Sequence, residues 1–137
     1  MRRDDLHALA SAKIRDAGLL LMHSRWSNAY YLAGYSIELG LKACISRQVS
    51  ADTIPDKAIL TGIHTHNFGQ LIGLAGLKVD LANHQRDDPQ FAANWAIVNE
   101  WTPDARYKTA THVEAQLIIS AIADEDHGVL AWIRTYW

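Results

Sequence analysis

The chain reads as all-α: an antiparallel bundle of four to six helices, with up-and-down core helices and a short extra helix. Three observations predict this. Apolar residues return at spacings of three and four over most of the length, as they do along one face of a helix. Capping residues and prolines stand where those stripes begin and end. No stretch alternates apolar with polar residues in the manner of a strand, and no repeat or low-complexity block intervenes. Amphipathic helices joined by short connectors bury their stripes by packing on one another.

A first helix is expected from Asp4 or Asp5, both good N-terminal residues, with Leu6, Leu9, Ala10, Ile14, Ala17, Leu20 and Leu21 as its apolar face. After "MHSRWSN" a second helix carries Ala29, Tyr30, Ala33, Ile37, Leu41 and Cys44, widened by Leu32, Leu39 and Ile45, so several sides of it should be covered. Gly34 and Gly40 each lower its helix propensity by about 1 kcal/mol relative to alanine. Close approach of a neighbouring backbone would explain both. Ser46 to Thr65 shows no sustained period and reads as a loop.

Asn67 then caps a short third helix with Phe68, Leu71, Ile72 and Ala75 on one face and Gly76 as its stop. Asp88 before Pro89 is the favoured order for entering a helix, and Phe91, Trp95 and Val98 share a face until Pro103. Thr111 followed three positions later by Glu114 matches a capping box. It starts a fifth helix near His112, with Ala115, Ile118, Ile119 and Ile122 facing inward. A last segment with Val129, Leu130, Trp132 and Ile133 closes the chain.

At 137 residues the chain is long enough to bury a core without metals or disulfides, and residues 1–137 are expected to form a single domain. A net charge of -2 argues against a broad basic face for duplex DNA, leaving only local nucleic-acid contacts. Cys44 is alone, so neither an internal disulfide nor a cysteine zinc site is expected, and a reducing cytoplasm is the expected compartment. The start lacks the apolar core of an export signal. "AYYLAGYSIELGLKACI" contains Glu38 and Lys42 and falls short of the roughly 20 apolar residues that span a bilayer.

Three groups of residues could carry chemistry. Arg106 and His112 lie six positions apart at the entry of the fifth helix. A histidine can move protons near neutrality, a guanidinium can grip phosphate oxygens, and a helix N-terminus adds N–H donors. The competing reading makes His112 a hydrogen-bonded residue at the edge of the core. Tyr31, Tyr35, Glu38 and Lys42 share one face of the second helix. They form either a binding face or a structural i,i+4 ion pair beside two tyrosines. His64, His66 and His84 include an "HTH" pair, but no carboxylate or cysteine completes a recognised first shell and no metal site or cofactor is expected. His66 and Asn67 fit hydrogen bonding at a helix entry better. The five tryptophans suit core and interface anchoring more than base stacking.

Taken in order, "AYYLAGYSIELGLKACI", "HTHNFGQLIGLAGL", "NWAIVNEWTPDARY" and "GVLAWIRTYW" resemble the bacterial HEPN domain family (higher eukaryotes and prokaryotes nucleotide-binding domain) over nearly the whole chain. The resemblance implies an all-helical bundle, commonly a homodimer. Active members are metal-independent ribonucleases that use an arginine, four to six arbitrary residues and a histidine at the start of the last long helix. Arg106 and His112 match that spacing and place, and would be the catalytic pair. Tyr35, Glu38, Lys42 and Tyr107 are the candidate substrate-binding residues for RNA or a nucleotide. Members of the family often work beside a minimal nucleotidyltransferase in toxin–antitoxin pairs. Tyr107 departs from the small polar residue common after the family's arginine, and the alternative is a noncatalytic module that binds a nucleotide or a protein.

Overall fold

The computed structural model describes all 137 residues and is all-helical. Eight α-helices and one short 3-10 helix follow in the order α1 (Arg3–Met22), α2 (Trp26–Ser46), α3 (Lys57–Gly62), α4 (Phe68–Leu74), α5 (Lys78–Asp87), α6 (Pro89–Asn99), the 3-10 turn (Pro103–Tyr107), α7 (His112–Ala123) and α8 (Val129–Arg134). No helix is long and apolar enough to cross a membrane.

Four of these helices make an up-and-down core. Leu6 and Ala10 from the start of α1 cluster with Leu39 and Ala43 from the far half of α2, so the two run antiparallel. Helix α7 starts beside the start of α2, where the Ala110 N–H donates to Ser27 Oγ at 3.0 Å. Helix α6 runs against α7: its cap Asp88 meets His127 beyond the end of α7, while Trp101 beyond its own end reaches Gly34 in α2. The stripe expected on α2 is buried apart from Leu32 on its widened edge, which is half-buried, and Ile37, Leu41 and Ile45 meet Leu71, Phe91, Val98, Ile118, Ile122, Leu130 and Ile133 in one core. Such continuous apolar burial is the main stabilising term in a helical bundle.

Several expectations need correction. Ser46 to Thr65 is not wholly a loop, because α3 lies within it, started by Asp56, whose side chain accepts from the Ala58 N–H at 2.9 Å. Helix α5 is an additional element with no fully buried residue. Helix α1 begins earlier than expected: Arg2 is its cap residue, and its N–H donates to Asp5 Oδ2 at 3.1 Å. At Gly34 the close neighbour is a side chain rather than a backbone. A Cβ there would lie 2.2 Å from the Trp101 indole, so glycine is required by the ring seated on it. Gly40 faces Ile133 Cγ2 at 3.1 Å from the Cβ position.

The other caps stand as expected. Asn67 Oδ1 accepts from the Gln70 N–H at 2.9 Å, and Asp88 Oδ1 accepts from Gln90 and Phe91 at 3.1 and 3.0 Å. Thr111 and Glu114 form a reciprocal capping box that fixes the first turn of α7. Trp95, Trp101 and Trp132 are buried, as core anchoring requires. Cys44 is buried too, with its Sγ 3.7 Å from the Ile133 carbonyl oxygen, and burial pushes its thiol up to about 11. A thiol so displaced is inert at neutral pH.

Candidate functional site at the start of helix seven

The segment from Trp101 to Thr111 is pinned to the core at intervals. Trp101 is sealed between Phe68, with centroids 5.4 Å apart and nearly parallel rings, and Tyr31 at 6.0 Å. Ala105 and Ala110 are buried, and Ala110 is held by Ser27. Between these anchors the polar side chains turn outward. Arg106 is exposed on the 3-10 turn, its guanidinium 5.5 Å from the Tyr107 ring centroid, and it makes no ion pair or hydrogen bond. Tyr107 itself is 82% exposed.

Lys108 is differently placed. It pairs with Glu114 and lies 4.7 Å from the Tyr30 ring centroid. The contact with Glu114 raises the lysine pKa and lowers that of the carboxyl group. Burial raises the Tyr30 hydroxyl above its ordinary value, with Lys108 pulling the other way. Lys108 is therefore engaged in holding the connector, whereas the Arg106 cation is available to an anion.

His112 is the first residue of α7 and is exposed, so it is not sealed in the core. Its ring lies 5.6 Å from the Trp26 ring at a tilt of 49°, and neither ring nitrogen has a protein hydrogen-bond partner. Beside it, Ser24 to Asn28 and Thr109 to Ala110 enclose a hollow of about 300 Å³ that includes Arg25. The start of α2 borders this hollow, with the connector that leads into α7 on its other side, and the N-terminal N–H groups of α2 favour negative charge. No hydrogen bond joins Arg106 to His112.

The second predicted group lies elsewhere on α2. Tyr35 stacks on Tyr31 at 6.0 Å, and no hydrogen bond, ion pair or ring contact links Tyr35, Glu38 or Lys42 with Arg106 or His112. Glu38 is only 1% exposed. Its Oε1 accepts from Lys42 Nζ at 2.9 Å and from His66 Nδ1 at 2.8 Å, while its Oε2 is buried with no partner. The i,i+4 pair expected on α2 is thus one of the two contacts in a three-residue cluster that staples the entry of α4 to α2. His66 serves that staple rather than capping α4, which Asn67 does.

One polar cluster had no counterpart in the sequence reading. Asp88 Oδ2 accepts from His127 Nδ1 at 2.8 Å and lies 4.0 Å from His84 Nε2. The hydrogen bond raises the His127 pKa and lowers that of Asp88. Asp88 and His127 stand 39 positions apart, so no local spacing announces the pair. Comparisons with protein-family models, with curated proteins and with solved structures return no match for this chain.

Proposed function

We propose that this chain is a HEPN-type helical domain that cleaves RNA without a metal, using His112 and Arg106. The observation that carries this reading is the start of the last long helix at an exposed His112, with an unpaired, exposed Arg106 on the connector before it. In this reading the His112 imidazole accepts the proton of a ribose 2′-hydroxyl as that oxygen attacks the adjacent phosphorus. Arg106 holds the phosphate oxygens as charge builds on them. The 5′-oxygen departs and takes a proton from water, leaving a 2′,3′-cyclic phosphate and a 5′-hydroxyl end. Tyr107, exposed next to Arg106, offers a face on which a base can stack.

The same reading places the protein in a homodimer. Val113 and Leu117, 61% and 49% exposed, follow His112 along α7, and Leu19 and Met22 are exposed near the end of α1. An apolar surface of this kind is what a second copy would cover. A minimal nucleotidyltransferase is the partner that the family resemblance suggests.

Incubating the purified protein with single-stranded RNA in the presence of EDTA tests the assignment. Wild type should cut the RNA to cyclic-phosphate ends, and His112→Ala or Arg106→Ala should slow cutting by at least ~100-fold with helix content unchanged. No cutting by wild type, or equal cutting by His112→Ala, overturns it. The lack of a hydrogen bond between Arg106 and His112 favours a second reading, a noncatalytic nucleotide- or protein-binding module. That reading expects nucleotide-dependent thermal stabilisation, lost in Arg106→Ala, with no RNA cleavage.

A further inference from the structure

On the side of the bundle formed by the start of α1, the end of α2 and α3 lies a chamber of about 520 Å³. Its walls are mainly apolar: Leu6, Ile45, Val49, Ile59, Leu60 and Ile63. Lys42 and His64 supply its nitrogen side chains. The size lies within the roughly 300–1,000 Å³ of small-molecule sites, which likewise combine apolar walls with a few polar groups.

Lys42 is the informative residue. Its side chain is 17% exposed, and its only hydrogen-bond acceptor is Glu38 Oε1. An ammonium carries three N–H donors, so two have no protein partner in a side chain that lines the chamber. Glu38 is buried and locked by Lys42 and His66; it fixes the lysine in place at the chamber wall. A second cavity, of about 570 Å³, shares Met1, Ser46 and Val49 with the chamber and carries Arg2 and Arg3 beside Asp4. Two guanidinium side chains and one carboxylate thus stand beside the chamber, whose own lining is mostly hydrocarbon.

We propose that this chamber binds a free medium-chain carboxylate, with the alkyl chain against Ile45, Ile59 and Ile63 and the carboxylate on the free N–H groups of Lys42. Burial of the chain supplies the apolar part of the affinity. The charge-assisted hydrogen bond to Lys42 supplies selectivity for an anionic head over a neutral one. The site is separate from the Arg106 and His112 junction and does not depend on the proposal made for that junction.

Calorimetric titration with decanoate, below its micelle concentration, and with decanol tests the proposal. Decanoate should bind once per chain and decanol at least tenfold more weakly. Lys42→Met should remove that preference. Because Lys42→Met also strips a partner from a buried carboxylate and can unfold the chain, Leu60→Glu serves as the second variant. Leu60 is an exposed wall residue, and a carboxylate there should weaken decanoate at least fivefold while leaving decanol unchanged. No decanoate binding, equal affinity for both ligands, or an unaltered preference in a folded Leu60→Glu protein overturns the proposal. So does sedimentation of the protein with phosphatidylglycerol vesicles in the absence of decanoate binding, which would identify a membrane surface as the ligand.

Discussion

Replacing Gly34 with alanine sets two effects of opposite sign against each other in the middle of α2. Helix propensity alone favours alanine by about 1 kcal/mol. Against it stands the Trp101 indole, whose atoms lie 2.2 to 2.3 Å from where the new methyl group would be. The ring has little room to yield, because Phe68 and Tyr31 stack on it at 5.4 and 6.0 Å. Complete expulsion of a tryptophan that buries on the order of 200 Å² would forfeit about 5 kcal/mol, an upper limit. Overpacking with partial relaxation typically costs about 1–3 kcal/mol and sometimes more. Because the ring is clamped on both faces, the top of that range applies, and with the gain in propensity deducted Gly34→Ala should lose roughly 2 kcal/mol, equivalent to a fall in Tm of about 6–8 °C for a chain of this size. Urea denaturation followed by circular dichroism measures the loss. In Gly34→Ala/Trp101→Leu the methyl group enters space vacated by the indole. The double variant should then be more stable than the sum of the single losses by about 1 kcal/mol or more. A rise in Tm for Gly34→Ala, or strict additivity in the double variant, would refute the reasoning.

Lys42→Met leaves the Glu38 carboxylate buried with His66 as its remaining partner, and should lower stability by about 3 kcal/mol. Adding Glu38→Leu removes the stranded charge and should recover most of that loss in the same urea titration. Thr111→Ala deletes one half of the capping box on α7 and should cost about 1 kcal/mol, with Thr111→Ser restoring it. The Asp88–His127 pair makes stability depend on pH in a definite direction. The His127 pKa is raised in the fold, so its contribution is complete below the unfolded value of about 6.5 and is lost as pH rises through the higher folded value. The Asp88 pKa is lowered, so its contribution is present above the unfolded value near 4 and is lost as pH falls through the folded one. Denaturation midpoints of wild type should decline as pH rises above about 6.5, and His127→Ala should flatten that decline.

The helices legible in the sequence are those whose stability comes from a buried stripe. Ala29, Ala33, Ile37 and Leu41 on α2, and Ala115, Ile118 and Ile122 on α7, are all buried, and burial at that spacing is what periodicity records. Helices α3 and α5 escape this signal because neither has a buried residue. The cap at Asp56 was the one local sign of α3, and Leu77 before α5 accepts no cap bond through its side chain. At Gly34 the need for close approach was readable, but its partner was not, since Trp101 comes near only through the path of α6.

The candidate site divides in the same way. Thr111 and Glu114 fixed where α7 begins, and so placed His112 at its first turn. That Lys108 is occupied by Glu114 while Arg106 stays free is a matter of side-chain direction, which spacing does not encode. The links from Glu38 to His66 and from Asp88 to His127 span 28 and 39 positions. Contacts over such separations are products of the tertiary fold.

The anchoring of the 101–111 connector has a consequence for recognition. Trp101, Ala105 and Ala110 are buried at near-regular intervals, so the backbone bearing Arg106 and Tyr107 inherits the rigidity of the core. A ligand arriving there meets a surface whose main-chain ordering was completed during folding. Little of its interaction energy is then diverted into immobilising a loop. Discrimination at this junction would rest on the rotamers of a few outward side chains, and changes in the core beneath Trp101 would be felt as changes in affinity at the surface.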